Sequence, residues 1–303
     1  MKDKFIEKLV EFAEKNDKVV LLTGDLGRNC LEPFIDKFPE RYFNVGSCEQ
    51  NMIGVAGGLA MQGFKVFVYS IANFASMRCF EHLRNIVNYY NLDVNIIAVG
   101  AGFEYGLLGY SHLAIEDVGV IKNLSNFEIY EPATLNELDI VCDEVFNKTN
   151  PKYIRLSKGY IKSSVIAELE PYLVDSGENI ALFSSGNILK DILFVKKMLK
   201  SENINVSVYS CPCVKRLNSV KLKKELIEYD QVFTIEEHIT SGLGESLLEV
   251  LSQFQNAPSL DMIGINKIRF ESVGHKSFLK EKYGLDVQSI YKRIKTKLKT
   301  KEK

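Results

Sequence analysis

The sequence predicts an α/β protein of two consecutive domains, each a mainly parallel sheet flanked by helices. Short apolar runs alternate with amphipathic segments along most of the chain, and this alternation is typical of βαβ units. The chain of 303 residues is about twice the ~150 residues expected of one domain. The alternation stops once, around Pro171 and Gly177. We therefore predict a first domain at 1–160, a linker at 161–178 and a second domain at 179–303.

The first domain begins with a predicted amphipathic helix, because Phe5, Ile6 and Leu9 fall on one helical face. Parallel strands buried on both faces are continuous apolar runs. Such runs predict strands at Lys18–Thr23, Tyr42–Val45, Lys65–Ser70, Val94–Val99, Phe127–Tyr130 and Tyr153–Leu156. The segments between them predict helices at Glu49–Gln62, Phe74–Tyr90, Ile115–Leu124 and Thr134–Asn147.

The second domain repeats the same alternation. Its predicted strands are Asn179–Phe183, Ile204–Tyr209, Gln231–Ile235 and Ser259–Ile263. Its predicted helices are Ile188–Leu199, Lys221–Glu228, Glu245–Phe254 and Asp286–Leu298. The two runs of alternating elements predict two separate sheets.

Composition excludes several classes of protein. A net charge of −1 argues against a nucleic-acid partner, and we interpret the basic tail Lys292–Lys303 as the solvated end of a helix. No apolar run approaches the ~18 residues of a membrane span, and the charged N-terminus does not resemble a signal peptide. The six cysteines form no CxxC pair. We therefore expect a cytoplasmic protein with reduced thiols and no membrane association.

The most unusual segment is 46–60, GSCEQNMIGVAGGLA. It places Glu49 at the mouth of a helix that is apolar or small beyond Asn51. Two interpretations stay open: stabilisation of an N-terminal carboxylate by the helix dipole, or a carboxylate held in a dry crevice to act on a ligand. Gly54, Gly57 and Gly58 each cost a helix about 1 kcal/mol relative to alanine. Their presence indicates that something packs very close to this helix.

Six segments in order resemble the C-terminal half of transketolase-type thiamine diphosphate enzymes. More closely, they resemble the separately encoded C-terminal subunit of a split transketolase. The segments are GSCEQNMIGVAGGLAMQG at 46–63, FASMRCFEHLRN at 74–85, SHLAIED at 111–117, YIRLSKG at 153–159, TIEEH at 234–238 with the following GLGE, and KYGLD at 282–286. The resemblance covers nearly the whole chain.

This resemblance implies a cofactor site for thiamine diphosphate. Glu49 would contact the aminopyrimidine ring and share a proton with a ring nitrogen, which prepares the cofactor for carbanion chemistry. Phe74 would stack on the ring, with Ile71 and Met77 where some relatives have further aromatic residues. Asp25 would lie near the cofactor at a subunit interface. A core position for Phe74 and a turn position for Asp25 are the structural alternatives.

The resemblance also implies a site for sugar or sugar-phosphate substrates. His112 would contact sugar hydroxyls and move protons, and its loop follows a strand, at the edge where α/β sheets bind ligands. Arg155 and Lys158 would hold a phosphate or another acidic end of the substrate, and Asn29 is a further candidate. Leu108 stands where the family usually has an acidic residue. A leucine leaves a buried hydroxyl unsatisfied, so an ordinary ketose phosphate is not assured.

The family binds the diphosphate through Mg²⁺ with a Gly-Asp-Gly motif followed by an asparagine, and this motif is missing from the sequence. We therefore expect no metal ligand in this chain. A separate N-terminal transketolase subunit would supply the diphosphate half of the site with its Mg²⁺. The predicted assembly is a heterotetramer with two copies of each chain.

The predicted activity is transfer of a two-carbon ketol unit from a ketose to an aldose. A 2-oxoacid dehydrogenase β-type subunit, which shares the glutamate, and a non-catalytic transketolase-like paralogue are the alternatives. Two polar clusters receive structural interpretations. Arg78, Glu81 and Arg84 are spaced three apart and predict local ion pairs. The segment 236–238, Glu-Glu-His, is predicted to serve the interface between domains.

Overall fold

The computed structural model describes residues 1–215, 217–266 and 270–301, without the side chains of 300 and 301. The final two residues of the basic tail lie outside the described residues. Within these ranges the chain forms two sheets with helices packed against them, in two consecutive domains. The predicted fold class is confirmed.

The strands described in the first domain are β1 Val19–Thr23, β2 Tyr42–Asn44, β3 Lys65–Ile71, β4 Val94–Val99, β5 Glu128–Tyr130 and β6 Lys152–Leu156. The helices are α1 Lys2–Ala13, α2 Glu32–Lys37, α3 Glu49–Met61, α4 Ala72–Ala75, α5 Phe80–His82, α6 Asp117–Lys122 and α7 Leu135–Asn147. The strands are all parallel, in the order β2-β1-β3-β4-β6-β5.

Alternate residues of the central strands pack into two apolar cores, one on each face of this sheet. Leu21 and Phe67 face α1, α2 and α7. Leu22 and Val68 face α3, α4 and α6. Because both faces are covered, the central strands are mostly apolar, as their sequence predicts.

In the described part of the second domain, the strands are β7 Tyr172–Asp175, β8 Glu178–Ser184, β9 Val206–Ser210, β10 Gln231–Ile235 and β11 Ser259–Ile263. The helices are α8 Leu189–Lys200, α9 Ser219–Leu226, α10 Leu243–Leu251, α11 Lys276–Tyr283 and α12 Val287–Lys301. The strand order is β11-β10-β8-β9-β7, with only β7 antiparallel to its neighbour. None of the helices described here is long and apolar enough to cross a membrane.

Three elements were not predicted. The segment predicted as a linker contains β7, a short edge strand that pairs with β9 alone. Helices α2 and α11 have six and eight residues, too few to produce a clear helical period. These elements depend on tertiary contacts more than on local sequence.

The predicted helix Phe74–Tyr90 is broken into short pieces. Ser76 has φ −102° and ψ −82°, which ends α4. A 3-10 turn, Met77–Cys79, follows, and beyond α5 the residues Leu83–Asn88 form a π-helix. Such interruptions are frequent at functional sites, and this one lies in the segment that the sequence places at the cofactor.

Candidate active site

The candidate site lies at the carboxyl edge of the first sheet. Because its strands are parallel, their carboxyl ends meet at one edge, where open α/β sheets bind ligands. Asp25, His112 and Lys158 lie in the segments that follow β1, β4 and β6, and Phe74 lies on α4, which follows β3 directly. Glu49 begins α3 close to the end of β1, since a Cβ placed on Gly24 would lie 3.7 Å from its Oε1.

Glu49 is a buried carboxylate at the start of a helix. Its side chain is 3% exposed, and it is the first residue of α3. The helix N-terminus favours a negative charge there. The carboxylate is therefore at the positive end of α3 and is held away from water, so the geometry is compatible with both interpretations left open by the sequence.

Arg78 is the charged partner of Glu49. Its Nη1 donates to Oε2 of Glu49 over 2.6 Å, and its guanidinium lies 4.1 Å from the centroid of the Phe74 ring. The side chain of Gln50 donates to the backbone carbonyl of Arg78. The predicted local ion pair is therefore wrong for Arg78, because this residue is paired with α3. Because Glu49 and Arg78 lie 29 residues apart in the sequence, no local pattern indicated their contact.

His112 packs against Phe74. The ring centroids are 5.1 Å apart at an interplanar angle of 69°, a favourable edge-to-face arrangement. Ser111 Oγ lies 3.0 Å from Nδ1 of His112. The structure therefore brings together three residues predicted for the site: Glu49 and Phe74, joined through Arg78, and His112.

Asn73 was missed by the sequence analysis. Its Nδ2 donates to the carbonyls of Ser111, at 3.2 Å, and Leu113, at 2.5 Å. Its Oδ1 is buried and has no hydrogen-bond partner among the described residues. Because its partners lie in a distant loop, no local pattern could have singled it out.

The other predicted cofactor residues lie nearby. Ile71, the last residue of β3, and Met77, on the 3-10 turn, are half-buried on either side of Phe74. Asp25 is exposed with φ 58° and forms reciprocal hydrogen bonds with the side chain of Asn44. This turn geometry is sufficient to explain Asp25. It adds no support for a cofactor contact.

The predicted substrate residues differ in their surroundings. Asn29 is exposed at φ 59°, and its backbone N–H donates to Glu32. Lys158 is exposed, with its ammonium 5.2 Å from the ring of Tyr105, and it has no ion pair among the residues described. Lys158 is therefore available for an anion. The conformation of Asn29 is explained by the hydrogen bond to Glu32 within its own loop.

The substrate-binding role predicted for Arg155 is not supported. Its side chain is 1% exposed, and it forms ion pairs with Asp117, at 3.0 Å, and with Glu131. Its Nη2 donates to the carbonyl of Ala114. To reach a substrate, the guanidinium would have to leave two buried carboxylates unpaired, at a large energetic cost.

Arg155 instead belongs to a buried polar cluster between the domains. Glu131 of the first domain accepts a hydrogen bond from Ser185 and lies 3.6 Å from His238, both in the second domain. Burial acts to raise the pKa of Glu131, but Arg155 and His238 outweigh it and hold this pKa at about 2. Oxygens of Glu236 accept the backbone N–H groups that begin α10. The geometry agrees with the predicted interface role of 236–238.

A second contact between the domains involves Glu237, whose Oε1 accepts the backbone N–H of Phe103 and lies 2.8 Å from Lys276. Burial acts to raise the pKa of Glu237, but Lys276 and Lys280 lower it overall.

In the part of the chain that the structure describes, no group of three or more His, Cys, Asp or Glu side chains is placed to hold a metal ion.

Comparison with known protein families identifies the class of protein to which this fold and this site belong. The family model for the transketolase pyrimidine binding domain matches residues 1–163, and the model for the transketolase C-terminal domain matches 171–290. The chain belongs to the transketolase family. The resemblance predicted from the sequence is confirmed.

Similar proteins include separately encoded parts of transketolases. A protein of Methanocaldococcus jannaschii named as a putative transketolase C-terminal section is 33% identical over 99% of this chain and 96% of its own length. One of the subunits of the apulose-4-phosphate transketolase of Actinobacillus succinogenes is 29% identical over 90% of each chain. A solved structure described as a split gene transketolase, inactive β4 tetramer, superposes with a TM-score of 0.86 at 30% identity, covering 97% of this chain and 96% of that one.

A full-length synthase also matches. The 1-deoxy-D-xylulose-5-phosphate synthase of Clostridium kluyveri is 28% identical over 96% of this chain, which spans 47% of the synthase. The chain is thus similar to a transketolase section and a transketolase subunit over nearly their whole length, and to about half of a longer synthase.

Proposed function

We propose that this chain is the pyrimidine-binding subunit of a two-chain transketolase. In this proposal Glu49 activates thiamine diphosphate for transfer of a two-carbon ketol unit from a ketose to an aldose. The observation that carries the proposal is the buried carboxylate of Glu49 beside the ring of Phe74, both in contact with Arg78. Similarity over nearly the full length of separately encoded subunits supports the two-chain arrangement.

The residues at the site fit the pyrimidine end of thiamine diphosphate. Glu49 would hold and release a proton at a ring nitrogen, a task that requires a carboxylate within hydrogen-bond reach. Phe74 offers a face for a flat heteroaromatic ring. Asn73, the residue before Phe74, has a buried Oδ1 with no hydrogen-bond partner among the described residues, and this oxygen would be an acceptor for a ligand. The bound cofactor supplies the carbanion chemistry that cleaves and forms carbon–carbon bonds next to a carbonyl.

His112 and Lys158 are the residues we propose for the substrate. The half-buried imidazole of His112, fixed against Phe74, would hydrogen-bond a sugar hydroxyl and move its proton. The exposed ammonium of Lys158 would attract an acidic end of the sugar as a point charge. Leu108 is 58% exposed in the loop before His112. This leucine supports a substrate with fewer hydroxyls to satisfy there, in the class of sugars or sugar phosphates.

We propose that a separate N-terminal subunit covers the site and supplies the diphosphate half with its Mg²⁺. The outer face of α3 supports this part of the proposal. Val55 and Met61 are exposed there, at 36% and 50%, and a Cβ on Gly54 or Gly58 would meet nothing within 4 Å. An apolar face with glycines allows the close approach of another helix, and exposed apolar patches mark interaction sites. Two copies of each chain would form the heterotetramer.

Calorimetry with thiamine diphosphate and Mg²⁺ tests the proposal. The chain, the candidate N-terminal subunit encoded in a neighbouring gene, and their mixture are titrated in parallel. We expect binding by the mixture alone. Tight binding by the chain alone would refute the half-site assignment, and no binding by the mixture would refute the cofactor assignment.

Turnover by the mixture then distinguishes the reactions. Ketoses and ketose phosphates are offered as donors with an aldose acceptor, and pyruvate is offered as the donor of a synthase or a 2-oxoacid dehydrogenase. Turnover of a ketose donor supports the transketolase assignment. Turnover of pyruvate alone would replace it with one of the alternatives.

A further inference from the structure

Arg78 contacts both Glu49 and Phe74, the two residues proposed to bind the cofactor ring. Its guanidinium donates to the carboxylate of Glu49 over 2.6 Å and lies 4.1 Å from the centroid of the Phe74 ring. A guanidinium is planar, rich in N–H donors, and stacks on aromatic faces. It therefore makes the two types of contact, a hydrogen bond to Glu49 and a stack on Phe74, that a flat nitrogen heterocycle would make in the same pocket.

We propose that Arg78 occupies the pyrimidine half-site of the free subunit and that a bound cofactor displaces it. This inference rests on the proposed function, because it takes Glu49 and Phe74 as the cofactor's partners. One face of Phe74 cannot stack on a guanidinium and on a heterocycle at once, and both groups would compete for the same carboxylate. Arg78 and the cofactor thus compete for the side chains of Glu49 and Phe74.

The surroundings of Arg78 allow it to leave. Its side chain is 46% exposed, whereas that of Glu49 is 3% exposed. Arg78 lies on the 3-10 turn Met77–Cys79, between two short helices, so its side chain is not enclosed by a regular helix surface. Once displaced, the guanidinium can return to water with little loss. Glu49 cannot do the same, because it is buried at the start of α3.

Displacement also explains why an arginine is useful before assembly. A buried carboxylate without a partner is costly, and Arg78 supplies the partner while the ring of the cofactor is absent. Cofactor binding then exchanges one partner of Glu49 for another. The opposite arrangement, in which Arg78 stays in place and reinforces the complete site, predicts that its removal weakens cofactor binding.

The test uses Arg78→Gln and Arg78→Lys, with Arg84→Gln as the matched control. Arg84 is an exposed arginine of the same segment whose Nη1 donates to its neighbour Asn85. Thiamine diphosphate with Mg²⁺ is titrated into each variant mixed with the N-terminal subunit. We expect Arg78→Gln to lower the dissociation constant about 3- to 30-fold, the range that loss of a part-exposed ion pair and a cation–π contact implies. Arg78→Lys keeps the positive charge but lacks the planar guanidinium, so its dissociation constant is expected to lie between those of the wild type and Arg78→Gln.

A second measurement uses the chain alone. We expect Arg78→Gln to lower its thermal unfolding midpoint relative to Arg84→Gln, because Glu49 loses its partner. Unchanged or weaker cofactor binding by Arg78→Gln, while the wild-type mixture binds, would overturn this inference and leave the proposed function standing. No binding by the wild-type mixture would overturn both.

Discussion

The imidazole of His112 lies edge to face against the ring of Phe74, with 5.1 Å between the ring centroids. Phe74 lies on α4, whereas His112 lies in the segment after β4, and Asn73 of α4 links the two. Its Nδ2 donates to the carbonyls of Ser111 and Leu113, the residues immediately before and after His112. A buried amide on α4 thus fixes the backbone on both sides of His112.

Removal of the Asn73 amide should make the position of His112 less well fixed, because the backbone on both sides of it loses a hydrogen bond. We expect Asn73→Ala to lower the free energy of unfolding by about 1–3 kcal/mol, because buried carbonyls lose their donor. In the assembled enzyme the KM for the sugar donor should rise more than kcat falls. Urea denaturation and steady-state kinetics measure the two effects. Asn85→Ala, at an exposed position, is the control, and identical behaviour of the two variants would contradict the role of Asn73.

Glu49→Gln should abolish most of the turnover without preventing assembly. The amide keeps the size of the side chain but cannot exchange the proton, and loss of acid–base catalysis typically costs about 10²- to 10⁴-fold in rate. Turnover is measured with the N-terminal subunit, and assembly is checked by size-exclusion chromatography. Glu81→Gln, exposed on α5, should stay active. Full activity of Glu49→Gln would exclude the proposed role.

Val55→Arg should block association with the N-terminal subunit. Val55 is 36% exposed on the apolar face of α3, and an interface core that buries an unpaired charge loses most of its affinity. Analytical ultracentrifugation of the mixture would show the loss of the complex. Val220→Arg is the control, because Val220 is 66% exposed on α9 in the other domain. Normal assembly of Val55→Arg would place the interface elsewhere.

Arg155→Met should destabilise the whole chain. Arg155 is 1% exposed and paired with Asp117 and Glu131, and removal of one partner from a buried ion pair typically costs about 3–5 kcal/mol. Urea denaturation measures the change, with the exposed substitution Arg84→Met as the reference. A small effect, equal to that of Arg84→Met, would show that the cluster does not contribute to stability.

The stability of the chain should fall as the pH rises from about 4.5 to about 7. Burial raises the pKa of Glu236 to about 7, above its ordinary value of 4.5. Burial acts to lower the pKa of His238, but Glu236 and Glu131 raise it overall, while Arg155 opposes them. Both groups therefore bind protons more tightly in the folded chain than in the unfolded chain. The free energy of unfolding decreases with pH wherever the folded chain holds the additional protons.

Urea denaturation at several pH values across this window measures the slope. Glu236→Gln removes one of the two groups, so its slope should be smaller than that of the wild type. Glu178→Gln, exposed on β8, should leave the slope unchanged. A wild-type stability that rises with pH in this window would contradict the prediction.

Buried strands were the most predictable part of the fold. The predicted bounds of Val94–Val99, Gln231–Ile235 and Ser259–Ile263 agree residue for residue with β4, β10 and β11. The first two are buried throughout and consist mostly of apolar residues, so the sequence itself carries the signal. Strand β7, an edge strand with one neighbour, has no such signal and was predicted as linker.

The candidate site was predictable only in part. Glu49, Phe74 and His112 follow from the motifs that carry the family resemblance, and the fold brings them together. Arg78 and Asn73 could not be assigned, because their partners are set by tertiary structure. Arg155 was assigned to the substrate because the family resemblance implies basic residues in this strand region. The direction of its side chain, toward Asp117 and Glu131, is decided by residues that lie far away in sequence.

The buried cluster between the domains also has a consequence for synthesis of the chain. A ribosome delivers Glu131 and Arg155 well before it delivers Ser185 and His238, which enclose them in the finished protein. While β10 is still unmade, the nascent first domain holds these charges at a surface that water can reach. In a chain stalled at that point, Glu131 and Arg155 would stay accessible to water. Synthesis of Glu236 and His238 therefore completes a cluster whose first charged members, Glu131 and Arg155, were made earlier.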